Sequence, residues 1–255
     1  PYLAQFLKVS PERLDVAREL IEIYLSGDRR ADAEKLVISL DAAEAAPENV
    51  VDLVEYLLSV EMFAGARFIL VERLGQTTDD FILGVILIRA LGELGDQAAA
   101  VRQIAFLRDK TDSPERYSQW LKASKAAHAR MESIDTFLDT EQQRFSFSDD
   151  EWPEAKVEKF LILCEASKAR LANDSIAAAL RERLSTNSLE PALKTRLQRF
   201  LLGLLEYTPG ASVEVENLLI DLAKANPGAS PEYDLRRALL YHRSQQLENC
   251  LLYTS

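Results

Sequence analysis

The chain has 255 residues, 47% of them hydrophobic and 28% charged, a composition able to bury a core. Nine glycines and nine prolines are thin punctuation for a sheet protein, while Ala, Leu, Glu and Arg abound, so the composition predicts helices. The formal charge of −11 is spread evenly, with 15 basic and 21 acidic residues in 1–127 and 15 and 20 in 128–255, which argues against a nucleic-acid surface; basic faces such as Lys194, Arg196 and Arg199 are small.

In chain order, YLAQFLKV at 2–9 puts Tyr2, Leu3, Phe6 and Leu7 on one helical stripe and reads as the second helix of a hairpin whose first is missing. The dipeptide Pro-Glu then recurs at 11–12, 47–48, 114–115, 153–154 and 231–232, twice within SPER and once within SPEY, and Pro191 adds a position without the Glu. The intervals are 36, 67, 39, 38 and 40 residues, so the second holds two units, and Thr78-Asp79-Asp80 supplies the start between them. A serine hydroxyl can cap a free N–H, proline at the first helical position loses no hydrogen bond, and glutamate meets the positive end of the helix dipole. Each site therefore predicts a helix start.

Behind each start lie two apolar stripes divided by a turn. Leu14, Ala17, Ile21 and Tyr24 precede a break at Ser26-Gly27-Asp28, and Ala33, Leu36, Val37 and Leu40 follow it. Val50, Leu53, Val54 and Leu57 pair with Ala66, Ile69, Leu70 and Leu74. FILGVILIRAL at 81–91 is about half the ~20 residues of a membrane-spanning helix and carries Arg89, so it predicts a helix buried on most sides; a turn at Gly95-Asp96 leads to Val101, Ile104 and Ala105. Tyr117, Trp120 and Leu121 pair with Met131, Ile134 and Leu138. The fifth unit runs Val157, Phe160, Leu161, Cys164, then Ile176 to Leu184. The sixth runs Leu193, Leu197, Phe200, Leu201, then Val215, Leu218, Leu219, Leu222. A seventh opens with Leu235, Ala238 and Leu239 and lacks its second helix, so Leu235, Leu239 and Leu240 are expected to be uncovered.

This pattern resembles the tetratricopeptide-repeat class of α-solenoids, including its divergent members. In the third unit Leu91, Gly95-Asp96, Ala100 and Ile104 match the family's large apolar, turn, small and aromatic-or-aliphatic positions, and Leu20, Tyr24, Ala33 and Val37 match similarly in the first. The family's tryptophan, first-helix glycine and terminal proline do not occur together in any unit, and the later units are nearer 40 residues than 34. The resemblance implies an all-α superhelix of about six helical hairpins with partial units at both ends, over 1–145 and, continuous with it, 146–249. It further implies a concave face lined by the first helix of each hairpin. Candidate partner-binding residues there are Glu19, Glu22, Tyr24, Glu55, Arg89, Glu93, Gln119, Lys122 and Lys159.

Catalytic and cofactor chemistry have little to stand on. His128 and His242 are 114 positions apart with no zinc-ligand spacing, and no Gly-rich phosphate loop or G-x-S-x-G elbow occurs, so neither metal, cofactor nor nucleotide is expected. In DTEQQRFSFSDDEWPEA, residues 139–155, the acids Asp149, Asp150 and Glu151 could serve as an acid/base group, but acids before a helix stabilise its start and Trp152 can staple the chain there. Cys164 in an apolar run reads as a buried free thiol, in keeping with a reducing, cytoplasmic compartment.

Cys250 to Ser255 back-translates in one frame to TGT CTC TTA TAC ACA TCT, the end sequence of cut-and-paste transposase fragments, so 250–255 is read as a non-native tail. With Pro1 at the start, the expectation is a fragment of a longer protein. The functional expectation is a non-catalytic helical-repeat scaffold that binds a protein, a peptide or other domains of its parent, with no membrane insertion. The alternative is the accessory helical region of an enzyme such as a bacterial glycosyltransferase.

Overall fold

The structure is a computed structural model that describes residues 2–76, 80–145, 153–167, 173–185, 189–206 and 208–243. The described residues hold fourteen α-helices, one 3-10 turn and no strand, as the composition predicts. In order these are α1 (Tyr2–Leu7), α2 (Leu14–Ser26), α3 (Arg30–Ile38), α4 (Pro47–Ser59), α5 (Phe63–Gln76), α6 (Phe81–Glu93), α7 (Gln97–Arg108) and α8 (Pro114–Arg130). There follow α9 (Ile134–Arg144), α10 (Glu154–Ser167), α11 (Asn173–Ser185), α12 (Pro191–Leu205), α13 (Ser212–Ala225), the 3-10 turn Pro227–Ala229 and α14 (Ser230–Arg243). The chain forms two compact units, 1–137 and 138–255, divided within α9.

Helix starts follow the proline rule at most sites. Ser113 accepts the Arg116 N–H at 3.2 Å with Pro114 in the first helical position, and Asp80 accepts the Leu83 N–H at 3.1 Å. Pro47 and Pro191 open α4 and α12 behind extended residues, the conformation that a following proline imposes. Two sites depart from the expected cap. At Ser10-Pro11-Glu12-Arg13 the Arg13 N–H donates to the Ser10 carbonyl and the Leu14 N–H to the Glu12 carbonyl, so the segment is a turn and α2 begins after it. At Ser230 the backbone is already helical, carried in by the 3-10 turn, and the hydroxyl donates to Asp234 Oδ2 at 3.2 Å instead of capping.

Helix ends in the first unit share one device. Asp28, Glu61, Gly95 and Glu132 have φ of 57°, 59°, 69° and 55°, each two residues beyond its helix. The next residue's N–H donates to the carbonyl five positions back: Arg29 to Tyr24, Met62 to Leu57, Asp96 to Leu91 and Ser133 to His128, at 2.8 to 3.1 Å. This is the Schellman arrangement, and it reverses the chain at the same place in four hairpins.

In the first unit α2 packs on α3, α4 on α5 and α6 on α7, and α2, α4, α6 and α8 contact one another in turn while α3 contacts α5. The core between the layers takes Leu14, Ala17, Ile21, Val50, Leu53, Val54, Leu57, Ala66, Ile69 and Leu70, all fully buried. α6 is buried on most sides, as its apolar run predicts. Its Gly92 meets α8 so closely that a Cβ would lie 2.9 Å from the Ala127 Cα. In the second unit α12 contacts α10, α11 and α13, and α13 contacts α14. Cys164 is buried there, outside any disulfide among the described residues.

Some stripes are displaced from their predicted position. In α7 the inward residues are Ala100, Ile104 and Leu107, leaving Val101 and Ala105 exposed, because the helix is rotated by about one residue. In α10 Leu163 takes the buried place expected of Leu161. α14 turns Tyr233 and Tyr241 inward, with the Tyr241 hydroxyl donating to Glu216, and Leu235 and Leu239 stay exposed. In α1 only Leu7 is buried, and Tyr2 and Phe6 face outward.

Two substitutions test this account by urea unfolding. Glu132→Gly should raise stability by up to about 1 kcal/mol, since glycine adopts positive φ without side-chain strain. Gly92→Val should lower it by about 1–3 kcal/mol by forcing α6 from α8.

Candidate functional site

The helices α2, α4, α6 and α8 present a polar surface on the side away from the core. At helical spacing this surface carries Arg18, Glu19 and Glu22 on α2, Glu55 and Ser59 on α4 with Tyr56 beside them partly packed on the core, Arg89 and Glu93 on α6, and Gln119, Lys122, Ala126 and Arg130 on α8. Neighbouring helices are joined by side chains 34 to 38 residues apart. The Arg18 guanidinium lies over the Tyr56 ring at 5.3 Å, Arg89 Nη1 donates to Glu55 Oε1 at 2.5 Å across 34 residues, and Arg130 Nη2 donates to Glu93 Oε1 at 3.1 Å across 37. Burial, and then the Glu22 carboxylate, push the Tyr56 phenol above its ordinary pKa, against the smaller opposing effect of Arg18.

The second unit repeats the arrangement on its own helices. Arg196 donates to Glu158 across 38 residues, Arg181 holds Glu214 with two bonds of 2.8 and 2.9 Å across 33, and Arg199 Nε donates to the Tyr233 hydroxyl at 3.1 Å across 34. Exposed ion pairs of this kind contribute roughly 0–1 kcal/mol each, so they fix the lateral setting of the helices more than they hold the fold together.

Between α4, α6 and α8 the surface dips into a cleft of about 450 Å³. Gly92, Ala126 and Ala127 make a floor without long side chains, Leu58 and Phe63 give an apolar wall, and Arg89, Glu93 and Arg130 supply charge. The cleft exists because Gly92 and Ala127 let α6 and α8 approach while the side chains on either side stand up from them. A second depression of about 550 Å³, near the start of α6 and α8, is lined by Asp80, Phe81, Ile82, Arg116 and Gln119.

The sequence candidates are distributed as follows. Arg89 and Glu93 line the cleft, and Glu55 is bonded to Arg89 at its edge. Glu19, Glu22 and Lys122 are exposed on α2 and α8, and Gln119 belongs to the second depression. Tyr24 stands apart: it points from another side of α2, packs partly on the core, and lies 4.6 Å beneath the Arg29 guanidinium. Lys159 is half-buried on α10 of the second unit. Arg18, Tyr56, Ser59 and Arg130 were not singled out from the sequence, although opposite charges recurring 34 to 37 residues apart point to Arg130.

Asp149, Asp150, Glu151 and Trp152 lie outside the described residues. Among the described residues, no helix is long and apolar enough to cross a membrane, and no group of three or more His, Cys, Asp or Glu could hold a metal ion. No protein-family model matches the chain, and no curated protein shows significant similarity to it.

Of the two histidines, His242 is exposed, while His128 stacks on Phe137 at 4.4 Å with its Nδ1 2.8 Å from the Ser133 hydroxyl. Burial lowers the His128 pKa, so the folded state binds this proton less readily than the unfolded chain, whose imidazole titrates near ~6.5. The contribution of neutral His128 is therefore complete above about pH 6.5 and declines as pH falls through that value towards the lowered folded pKa. Urea midpoints recorded from pH 8 down to 5.5 should fall in the acidic part of that window for the natural chain and stay flatter for His128→Gln.

Proposed function

We propose that this chain is a non-catalytic helical-repeat scaffold of the tetratricopeptide-like α-solenoid class, and that it binds a protein or peptide segment along the face of α2, α4, α6 and α8. The observation that carries this reading is the set of cross-helix pairs at about one-repeat separation, Arg18 with Tyr56, Glu55 with Arg89 and Glu93 with Arg130. Stacked equivalent helices make a continuous surface, and such surfaces recognise extended ligands without an active site.

The chemistry of the face suits a polypeptide. Arginine and glutamate alternate across it, the cleft adds an apolar wall at Leu58 and Phe63, and the floor at Gly92 and Ala126 leaves room for a backbone. A segment lying across the helices could exchange its own charged groups with the existing pairs, since exposed pairs are weak enough to be opened by a competing partner. The acidic balance of the chain, −11 overall, disfavours nucleic acid on the same surface.

The test is amide NMR of the 15N-labelled chain titrated with pools of random peptides. Shifts should cluster on Glu22, Glu55, Ser59, Arg89, Glu93 and Arg130, and reversing both Arg89→Glu and Arg130→Glu should weaken binding at least tenfold, about 1.4 kcal/mol. Shifts confined to other surfaces, or no shifts at all, would remove the proposal.

A further inference from the structure

A different surface of the first unit holds a second docking feature. Between α3 and α5 runs a groove of about 400 Å³, within the ~300–1,000 Å³ range of sites that enclose a ligand-sized group. Its floor is low because Gly65 sits directly on Val37, where a Cβ would lie 3.1 Å from that side chain. Three large apolar residues converge on it while remaining open to solvent: Ile38 is 63% exposed, Phe68 39% and Leu94 38%. Isolated exposed apolar residues need no explanation, but a groups of them around one concavity marks an interaction site.

The rim settles the charge of the occupant. Arg30 is already engaged, its Nε 3.5 Å from Glu34 and its Nη2 donating to the Glu61 backbone carbonyl at 2.8 Å. Glu61 lines the same groove and has no ion pair among the described residues, so it is the uncompensated acid at the rim. An acidic partner would be repelled there and a neutral one would leave the carboxylate partly desolvated without a counter-charge.

We propose that this groove takes a bulky apolar side chain from an amphipathic segment of a partner protein, with an adjacent lysine or arginine of that segment placed on Glu61. The net charge of −11 would steer such a basic segment to the chain. The groove lies on the α3 and α5 side and shares Glu61 and Phe63 with the cleft of α4, α6 and α8, so Ile38 and Phe68, which line the groove and not the cleft, separate this proposal from binding on the other face.

The probe is a phage-displayed random dodecapeptide library selected on the full chain, with the recovered peptide then titrated by fluorescence anisotropy. The expected consensus has a bulky apolar residue beside a lysine or arginine. Phe68→Asp and Ile38→Asp should each weaken it at least tenfold, Glu61→Gln about threefold to tenfold, and Arg89→Glu should leave it unchanged. Ile38 is the more exposed of the two apolar positions, so Ile38→Asp decides the matter if Phe68→Asp fails to fold by circular dichroism. The proposal is overturned by the absence of any enriched sequence, by a consensus without a basic residue, or by affinity indifferent to Ile38→Asp. Loss with Arg89→Glu alone also overturns it and places binding on the other face. Self-association of the chain abolished by Ile38→Asp, with no peptide bound, overturns it in favour of a second copy as occupant.

Discussion

Chain reversal at a single left-handed residue is the constraint on which the first unit depends. Asp28, Glu61, Gly95 and Glu132 each close the same pair of hydrogen bonds, one from their own N–H to the carbonyl three residues back and one from the next N–H to the carbonyl five back. Those bonds satisfy the last carbonyls of α2, α4, α6 and α8 and start the next helix within a few residues. A turn so short leaves the returning helix nowhere to pack except against the one it has just left. The apolar stripes on the two helices then face each other, and hydrophobic burial of Leu57 against the returning α5, or of Leu91 ahead of α7, follows from the geometry of the turn.

Because the turn recurs in the same form, the helices that precede it are equivalent, and α2, α4, α6 and α8 meet in succession. Such helices set side by side bring residues at similar separations into contact, and Glu55 meets Arg89 across 34 residues and Glu93 meets Arg130 across 37. Both concavities lie where a glycine lets a neighbouring helix approach. Gly92 against Ala127 lowers the floor between α6 and α8, and Gly65 against Val37 lowers the floor between α3 and α5. Small residues at helix crossings thus do two things at once: they permit the approach, and they leave a depression bordered by longer side chains.

Much of this was legible in the sequence for reasons that are local. Prolines at 47, 114 and 191 stand at the first turn of a helix because that position alone costs them nothing, and the stripes Val50, Leu53, Val54, Leu57 and Leu193, Leu197, Leu201 are buried because 3.6-residue periodicity leaves them no other side. The Ser-Pro-Glu motif was a weaker guide, since the backbone before it decides whether the serine caps: extended at Ser113, but in a turn at Ser10 and already helical at Ser230. The rotation of α7 that exposes Val101, and the preference of α14 for Tyr233 and Tyr241 over Leu235 and Leu239, depend on neighbours that no single helix encodes. The same holds for the candidate site. Arg89 and Glu93 line one cleft with Glu55 bonded at its edge because they share one face of consecutive helices, whereas Tyr24 lies on another side of α2, partly on the core and beneath Arg29.

The turn also explains why Glu61 is placed where it is. Glu61 holds its left-handed backbone at the end of α4, and there it lines both the cleft of α4, α6 and α8 and the groove of α3 and α5. Glycine serves the same position at Gly95 without a steric penalty, so a glutamate there carries a cost of about 1 kcal/mol or more that the fold tolerates rather than requires. Strain of this kind persists only where the surroundings over-determine it, and the two Schellman bonds at Met62 and Glu61 do so. The residue therefore owes its conformation to the hairpin, while its charge has no ion pair among the described residues. It is the residue through which a backbone constraint comes to place an acid at two concavities.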